Sequence, residues 1–193
     1  MATHYNTLAS TQMEQTMNEI KEEVSMSISA NSYRGLKNKW TLWAHLPHDT
    51  DWTSKSYKKI YTVATVEETI AITETLPKEL VQNCMLFLMR EGIMPMWEDK
   101  RNRTGGCFSY KVLNKNVTEV WRDMSYVLTG ETISKNPAFV SNVTGITISP
   151  KKNFCIIKIW MGTCANQNPE IVTSDVKFIV PQGCIFKKHS PEF

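Results

Sequence analysis

The chain has 193 residues, 41% hydrophobic and 21% charged, with a formal net charge of +3. This is the composition of one globular domain with a full core, and it excludes low-complexity and collagen-like chains. The small positive balance permits a nucleic-acid or phosphate partner without requiring one, and no run of 18 apolar residues is available to span a membrane.

Residues 1–32, rich in Thr, Ser, Asn, Gln, Glu and Met, predict a flexible N-terminal tail, with a short helix over "MEQTMNEIKEEV" formed on a partner as the alternative. A single domain is expected over 33–193. In "LKNKWTLWAHL", Leu36, Trp40 and Leu42 alternate with Lys37, Lys39 and Thr41, which predicts a strand. The polar "PHDTDWTSKS" is a loop, and "YKKIYTVATV" a second strand. "TVEETIAITETL" predicts a helix that opens on Thr65, with Glu68 three residues on. "NCMLFLMREG" and "GCFSYKVL" are strands joined through "MPMWEDKRNRTGG". "NVTEVWRDMSYVLTGE" places Val117, Val120, Trp121, Met124 and Val127 or Leu128 at helical spacing and stops at Gly130. "VTGITIS" and "FCIIKIWMG" form a hairpin through "PKKN". "PEIVTSDVKFIV" predicts a third helix with Pro169 in its first turn, and "CIFKKH" a last strand. This order defines an α+β fold: a mainly antiparallel sheet with helices on one face, the other face free to curve around a ligand.

Catalytic signatures are missing. The chain has no G-x-S-x-G, P-loop, G-x-G-x-x-G or H-E-x-x-H, and His4, His45, His48 and His189 show no metal-ligand spacing. No enzyme, cofactor or metal is expected. Five cysteines, odd in number and without a C-x-x-C pair, predict free thiols in a reducing, cytoplasmic setting.

The tryptophans carry the chemistry. Trp52 sits in a loop with no apolar neighbour within four positions. Trp97 lies beside Met94 and Met96 and fits a core or a site equally, yet Glu98 and Asp99 follow it directly. Two indoles on separate loops form a slot for a flat ring. A carboxylate beside them accepts the N1–H and N2–H donors of guanine, and N7-methylation adds the charge that a cation–π sandwich rewards.

The segments "KNKWTLWAHL", the isolated Trp52, "TVATVEETI", "GIMPMWEDKRNRTGG", "EVWRDMSYVLTGE" and "IIKIWMG" occur in the order that resembles the translation initiation factor 4E family, the mRNA 5′-cap-binding proteins. The resemblance covers roughly residues 34–165. It implies a curved, mainly antiparallel sheet of about eight strands, three helices on the convex face and a cap slot on the concave side. It implies that Trp52 and Trp97 sandwich 7-methylguanine, that Glu98 binds the base edge, and that Trp160 packs near the N7-methyl group. Trp40, Trp43 and Trp121 match structural tryptophans. The implied partners are capped mRNA and, on the helical face, a scaffold 4G-like protein or a repressor peptide.

Departures from the family pattern fall at the phosphate site, on the partner face and after "CIFKKHSPEF", where the family's Ser/Lys-rich loop near the cap phosphates has no clear counterpart. The basic residue after the Gly-Gly is Cys107, and the lysine four positions before Trp160 is Ile156. Lys158, on the same strand face as Trp160, and Lys151 and Lys152, at a hairpin tip, are the candidates for cap phosphates. On the partner face Val66 and Gly130 fit the pattern and an acid is kept as Asp123. Ile70 replaces a tryptophan there, and Arg122 and Tyr126 replace leucines. The leading reading is therefore cap binding in translation initiation. A cap-binding repressor that does not recruit the usual scaffold, or an interaction module with lost cap binding, are the alternatives.

Overall fold

The computed structural model describes residues 15–26, 33–47 and 49–191. Seven strands are present among them: β1 (Gly35–His45), β2 (Tyr57–Thr65), β3 (Met85–Arg90), β4 (Gly106–Leu113), β5 (Val143–Pro150), β6 (Phe154–Met161) and β7 (Ile185–Lys188). They form one curved antiparallel sheet in the order β2-β1-β3-β5-β6-β4-β7. The seven are those expected from the sequence, one short of the number the resemblance implies.

Hairpin pairing holds for β1–β2 and β5–β6. It fails for β3 and β4, because β5 and β6 lie between them. The connection through Trp97 therefore crosses three strand spacings, about 14 Å. A segment of this length can do that without strain, and it runs along the end of the sheet instead of closing a tight turn.

Residues 15–26 form helix α1. Met17, Ile20 and Val24, spaced for one helical face, are buried in the main core, so this part of the expected tail packs on the domain. Residues 1–14 and 27–32 of that segment lie outside the described residues. Helix α2 (Val66–Thr75) begins as predicted: Thr65 Oγ1 accepts from Glu68 N, and Glu68 reaches back to Thr65 N. Helix α3 (Lys78–Asn83) follows Pro77. Helix α4 (Val117–Thr129) buries Val117, Val120, Trp121, Met124 and Leu128, the predicted stripe. Helix α5 (Pro137–Asn142) is capped by Asn136, whose side chain accepts from Ala138 N and Phe139 N.

The helix expected over 169–180 is a correction. Only Pro169–Ile171 makes a single 3-10 turn. Local bonds win there: Asp175 N donates to Thr173 Oγ1, Thr173 Oγ1 donates to Asp175 Oδ2, and Thr173 N donates across to Ile133 O. Phe178 has φ of 67°, which no right-handed helix accommodates. Val172, Val176 and Ile179 are buried without helical backbone.

Strand alternation sorts the side chains onto two faces. Trp40, Leu42, Leu86, Leu88, Phe108, Ile146, Ile157 and Ile159 join the helices in the main core. The opposite face carries a smaller apolar cluster of Phe87, Met89, Ile93 and Trp160, with Trp43, Tyr57, Met85 and Trp97 packed against it. That second cluster floors the site.

Candidate functional site

A cleft of about 810 Å³ opens on the face away from the helices. Its walls come from two loops. Trp52, Thr50 and Thr53 stand on the β1–β2 loop; Pro95, Met96, Trp97 and Glu98 stand on the β3–β4 connection. Phe87, Trp160 and Lys158 form the floor. Sequence-predicted Trp52, Trp97, Glu98, Trp160 and Lys158 are thus brought together. Lys151 and Lys152 are exposed at the β5–β6 turn and do not line the cleft.

The Trp97 loop is held by two residues that sequence reasoning passed over. Asp99 accepts from Met94 N and Arg101 N, at 2.9 and 2.8 Å. Asn102 is fully buried and donates through Nδ2 to Met94 O and Met96 O, at 3.0 and 2.9 Å. The carbonyls that flank Pro95 are thereby satisfied, and the backbone that presents Trp97 is fixed from below. The Gly-Gly pair has a steric cause. A Cβ on Gly105 would stand 1.7 Å from Met161 O, and one on Gly106 would meet the Phe186 ring and Lys187 O. The visible signal for this architecture was the spacing of the acid, the Asn and the Gly-Gly after the Trp.

Both tryptophans are stacked on histidines. The Trp52 indole, 53% exposed, lies on the His45 ring at 4.0 Å and 7°. Trp97 lies on His189 at 5.5 Å and 15°. Trp160 donates from Nε1 to Thr147 Oγ1 at 2.7 Å, which locks its ring in the floor. Burial pushes the Tyr57 phenol up to about 12, and the Glu98 and Asp51 carboxylates act in the same direction. It remains a proton donor at the cleft.

Cys107 stands opposite Trp160 on one side and Lys187 on the other. Burial raises its thiol, while the nearby Lys158 and Lys187 ammonium groups pull it down. Two cations therefore flank the position where the family pattern holds a basic residue. Lys187 escaped sequence reading because its neighbour lies across the β4–β7 pairing.

A second depression, about 260 Å³, lies on the helical side between α2 and α4. Val66, Ile70, Tyr126 and Gly130 line it together with Leu36, Thr69 and Thr129. Asp123 is outside it, paired with Arg122 at 3.1 Å. Tyr126 donates to Glu74 at 2.8 Å.

A helix-backed curved sheet with an aromatic-walled cleft on its open face is a defined class of protein. The family model described as Eukaryotic initiation factor 4E matches residues 35–189, and the chain belongs to that family. Eukaryotic translation initiation factor 4E of Eremothecium gossypii is 32% identical over 131 residues, 65% of this chain and 61% of that protein. A homolog from Acanthamoeba polyphaga mimivirus is 28% identical over 136 residues, covering 59% of this chain and 50% of its own length. The chain therefore spans about half to three fifths of those relatives. Among solved structures, Ascaris suum eIF4E-3 with m7G cap has a TM-score of 0.65 at 18% identity, covering 83% of this chain and 94% of that one. C. elegans eIF4E-3 in complex with the 4E-binding protein Mextli and cap analog has a TM-score of 0.63 at 20% identity, covering 78% and 83%. At these identities the structural likeness shows the fold.

Proposed function

We propose that this chain binds the 7-methylguanosine 5′ cap of mRNA and takes part in translation initiation as a binding protein, without catalysis. The observation that carries this reading is the convergence of Trp52 and Trp97, from separate loops, with Glu98 on one cleft. The base stacks between the indoles. Glu98 accepts from its N1–H and N2–H, and the backbone N–H of Trp97 donates to O6. Trp160 meets the N7-methyl group. Lys158 and Lys187 hold the phosphates, charge-assisted contacts that replace those lost at Cys107 and Ile156. The positive charge of the methylated base adds about 2 kcal/mol over a neutral ring when desolvated between indoles, or roughly 30-fold in affinity. Retention on 7-methyl-GTP resin tests this. Free 7-methyl-GTP should elute the protein and GTP should not, and Trp52→Ala and Glu98→Gln should pass through. Elution by both nucleotides alike would refute the sandwich.

The helical depression is the proposed seat of a scaffold 4G-like protein or a repressor peptide. The Arg122–Asp123 pair favours a second reading, a cap-binding repressor that does not recruit the usual scaffold. Arg122 neutralises the acid that a basic partner residue would otherwise meet. Titration with a Tyr-x-x-x-x-Leu-Φ helical peptide separates the two: micromolar binding supports the initiation role, and no binding supports the repressor.

A further inference from the structure

We propose that His45 and His189 are positioning residues that set the cleft's preference for a cationic base, each by backing one sandwich tryptophan. The proposal rests on the cap-binding reading above. Neither imidazole lines the cleft, and both are buried: His45 lies behind Trp52, and His189 lies behind Trp97, parallel to it, with its ring also 4.9 Å from the floor indole of Trp160 at 52°. With a base bound, the order of rings becomes imidazole, indole, base, indole, imidazole.

His45 ends β1 on the open face of the sheet. Its Nε2 lies 2.8 Å from Asp51 O, so in the neutral ring Nε2–H donates to the carbonyl directly before Trp52. The same ring is parallel to the indole. One side chain thus fixes both the backbone and the ring plane of a tryptophan that is otherwise half exposed. The other hydrogen bonds of this loop are largely internal: Asp51 N to Asp49 Oδ1, Thr53 N to Asp51 Oδ1, and Ser56 N to Thr53 O. They shape the loop but do not tie the indole to the sheet. Tyr57, opposite His45 on β2, closes against the far edge of the imidazole at 5.4 Å. Asp51 is the charged group beside it.

His189 follows β7 and is tied to the Trp97 loop twice. Its backbone N donates to Gly105 O, and its Nδ1 lies 2.7 Å from Asn102 O. A carbonyl accepts only, so Nδ1 carries the hydrogen. Nε2 is buried without a partner among the described residues, as suits a neutral ring with a bare lone pair. Burial lowers the affinity of His189 for a proton, and Lys158 acts the same way; the Asn102 carbonyl and Glu98 oppose them. A neutral imidazole behind Trp97 leaves the electron-rich face of the indole available to a cation, where an imidazolium would compete for it.

The consequence is a change in selectivity. A cation gains most when it sits over a ring face, and tilting the indole removes that gain first. A neutral base stacks offset and tolerates a tilted wall. Loss of one backing ring should therefore weaken 7-methyl-GTP more than GTP, by about threefold to tenfold in the ratio of their dissociation constants.

The test uses the full chain, with tryptophan-fluorescence titrations of both nucleotides and a thermal melt for each variant. His45→Ala should lower the selectivity ratio, and His45→Phe, which restores a ring without the hydrogen bond, should recover most of it. His189→Asn keeps a donor for Asn102 O but removes the ring, and should lower the ratio as His45→Ala does. An unchanged ratio in His45→Ala and His189→Asn, with both folded, overturns the proposal. So does a His45→Phe ratio no better than that of His45→Ala. Should His189→Asn fail to fold, His189→Phe decides its half: a retained ratio supports the backing role and a lost one refutes it. A wild-type chain that does not prefer 7-methyl-GTP would instead remove the cap reading itself.

Discussion

Asn102 is expected to be the stability keystone of the Trp97 loop, and Asn102→Ala measures it. The substitution deletes two hydrogen bonds, to Met94 O and Met96 O, from a fully buried side chain. Met94 O keeps its bond from Met96 N at 2.8 Å, so the lost bond there costs about 1 kcal/mol net, whereas Met96 O is left bare at about 1–3 kcal/mol unless water enters. Allowing for partial rehydration, the loss should be about 2–4 kcal/mol. That corresponds to a fall in melting temperature of about 5–15 °C for a domain of this size. Asn102→Asp should be worse, because a buried carboxylate facing two carbonyls can neither donate nor shed its charge cheaply. Urea unfolding monitored by circular dichroism gives the free energy, and 7-methyl-GTP titration of the folded fraction gives the coupling to Trp97. Unfolding of Asn102→Ala within about 0.5 kcal/mol of wild type, the ordinary range for inconsequential substitutions, would refute this account of the loop.

Glu131 accepts from Arg90 at 3.1 Å, from Lys37 at 3.2 Å and from Asn38, with its backbone at φ 55°. Burial works to raise its carboxyl, but these partners outweigh it and hold the group below its usual range. Its stabilisation is therefore present above the unfolded carboxylate's range and is lost as pH falls through the folded value. Glu131→Gln should cost about 1–3 kcal/mol at pH 7 and progressively less in acid; a pH-independent difference in chemical unfolding would contradict this. Lys158→Ala combined with Lys187→Ala should weaken 7-methyl-GTP by more than about tenfold while barely affecting 7-methylguanosine, since each lost charged contact removes about 1.5–3 kcal/mol. Equal loss for nucleoside and nucleotide would place the phosphates elsewhere.

Much of this architecture was legible because it is local. Alternation over Leu36–Leu42 and in "CIIKIW" marks strands, and the Thr65–Glu68 reciprocal cap marks a helix start. The stripe from Val117 to Met124 marks the long helix. Trp52 stood out because a loop of Asp, Thr, Ser and Lys gives an indole no apolar neighbours. What stayed hidden depends on partners far away in the chain. Asn102 acts on carbonyls six and eight positions back. Lys187 meets Cys107 only across the β4–β7 pairing, and His189 reaches Trp97 through the same docking of the last strand. The segment after Pro169 misled because Val172, Val176 and Ile179 have near-helical spacing, while Thr173 and Asp175 bond the backbone in another conformation. Asn136-Pro137 and Pro77 were usable start signals for the two short helices.

The central claim is that Trp52 and Trp97 form a sandwich for a cationic, methylated guanine. Calorimetric titration of the full chain with 7-methyl-GTP and with GTP, at one ionic strength, tests it most directly. The account predicts tighter binding of 7-methyl-GTP by roughly 30-fold, lost in Trp52→Ala while the melting temperature stays unchanged. Equal affinity for the two nucleotides, or a Trp52→Ala variant that binds like wild type, would contradict it.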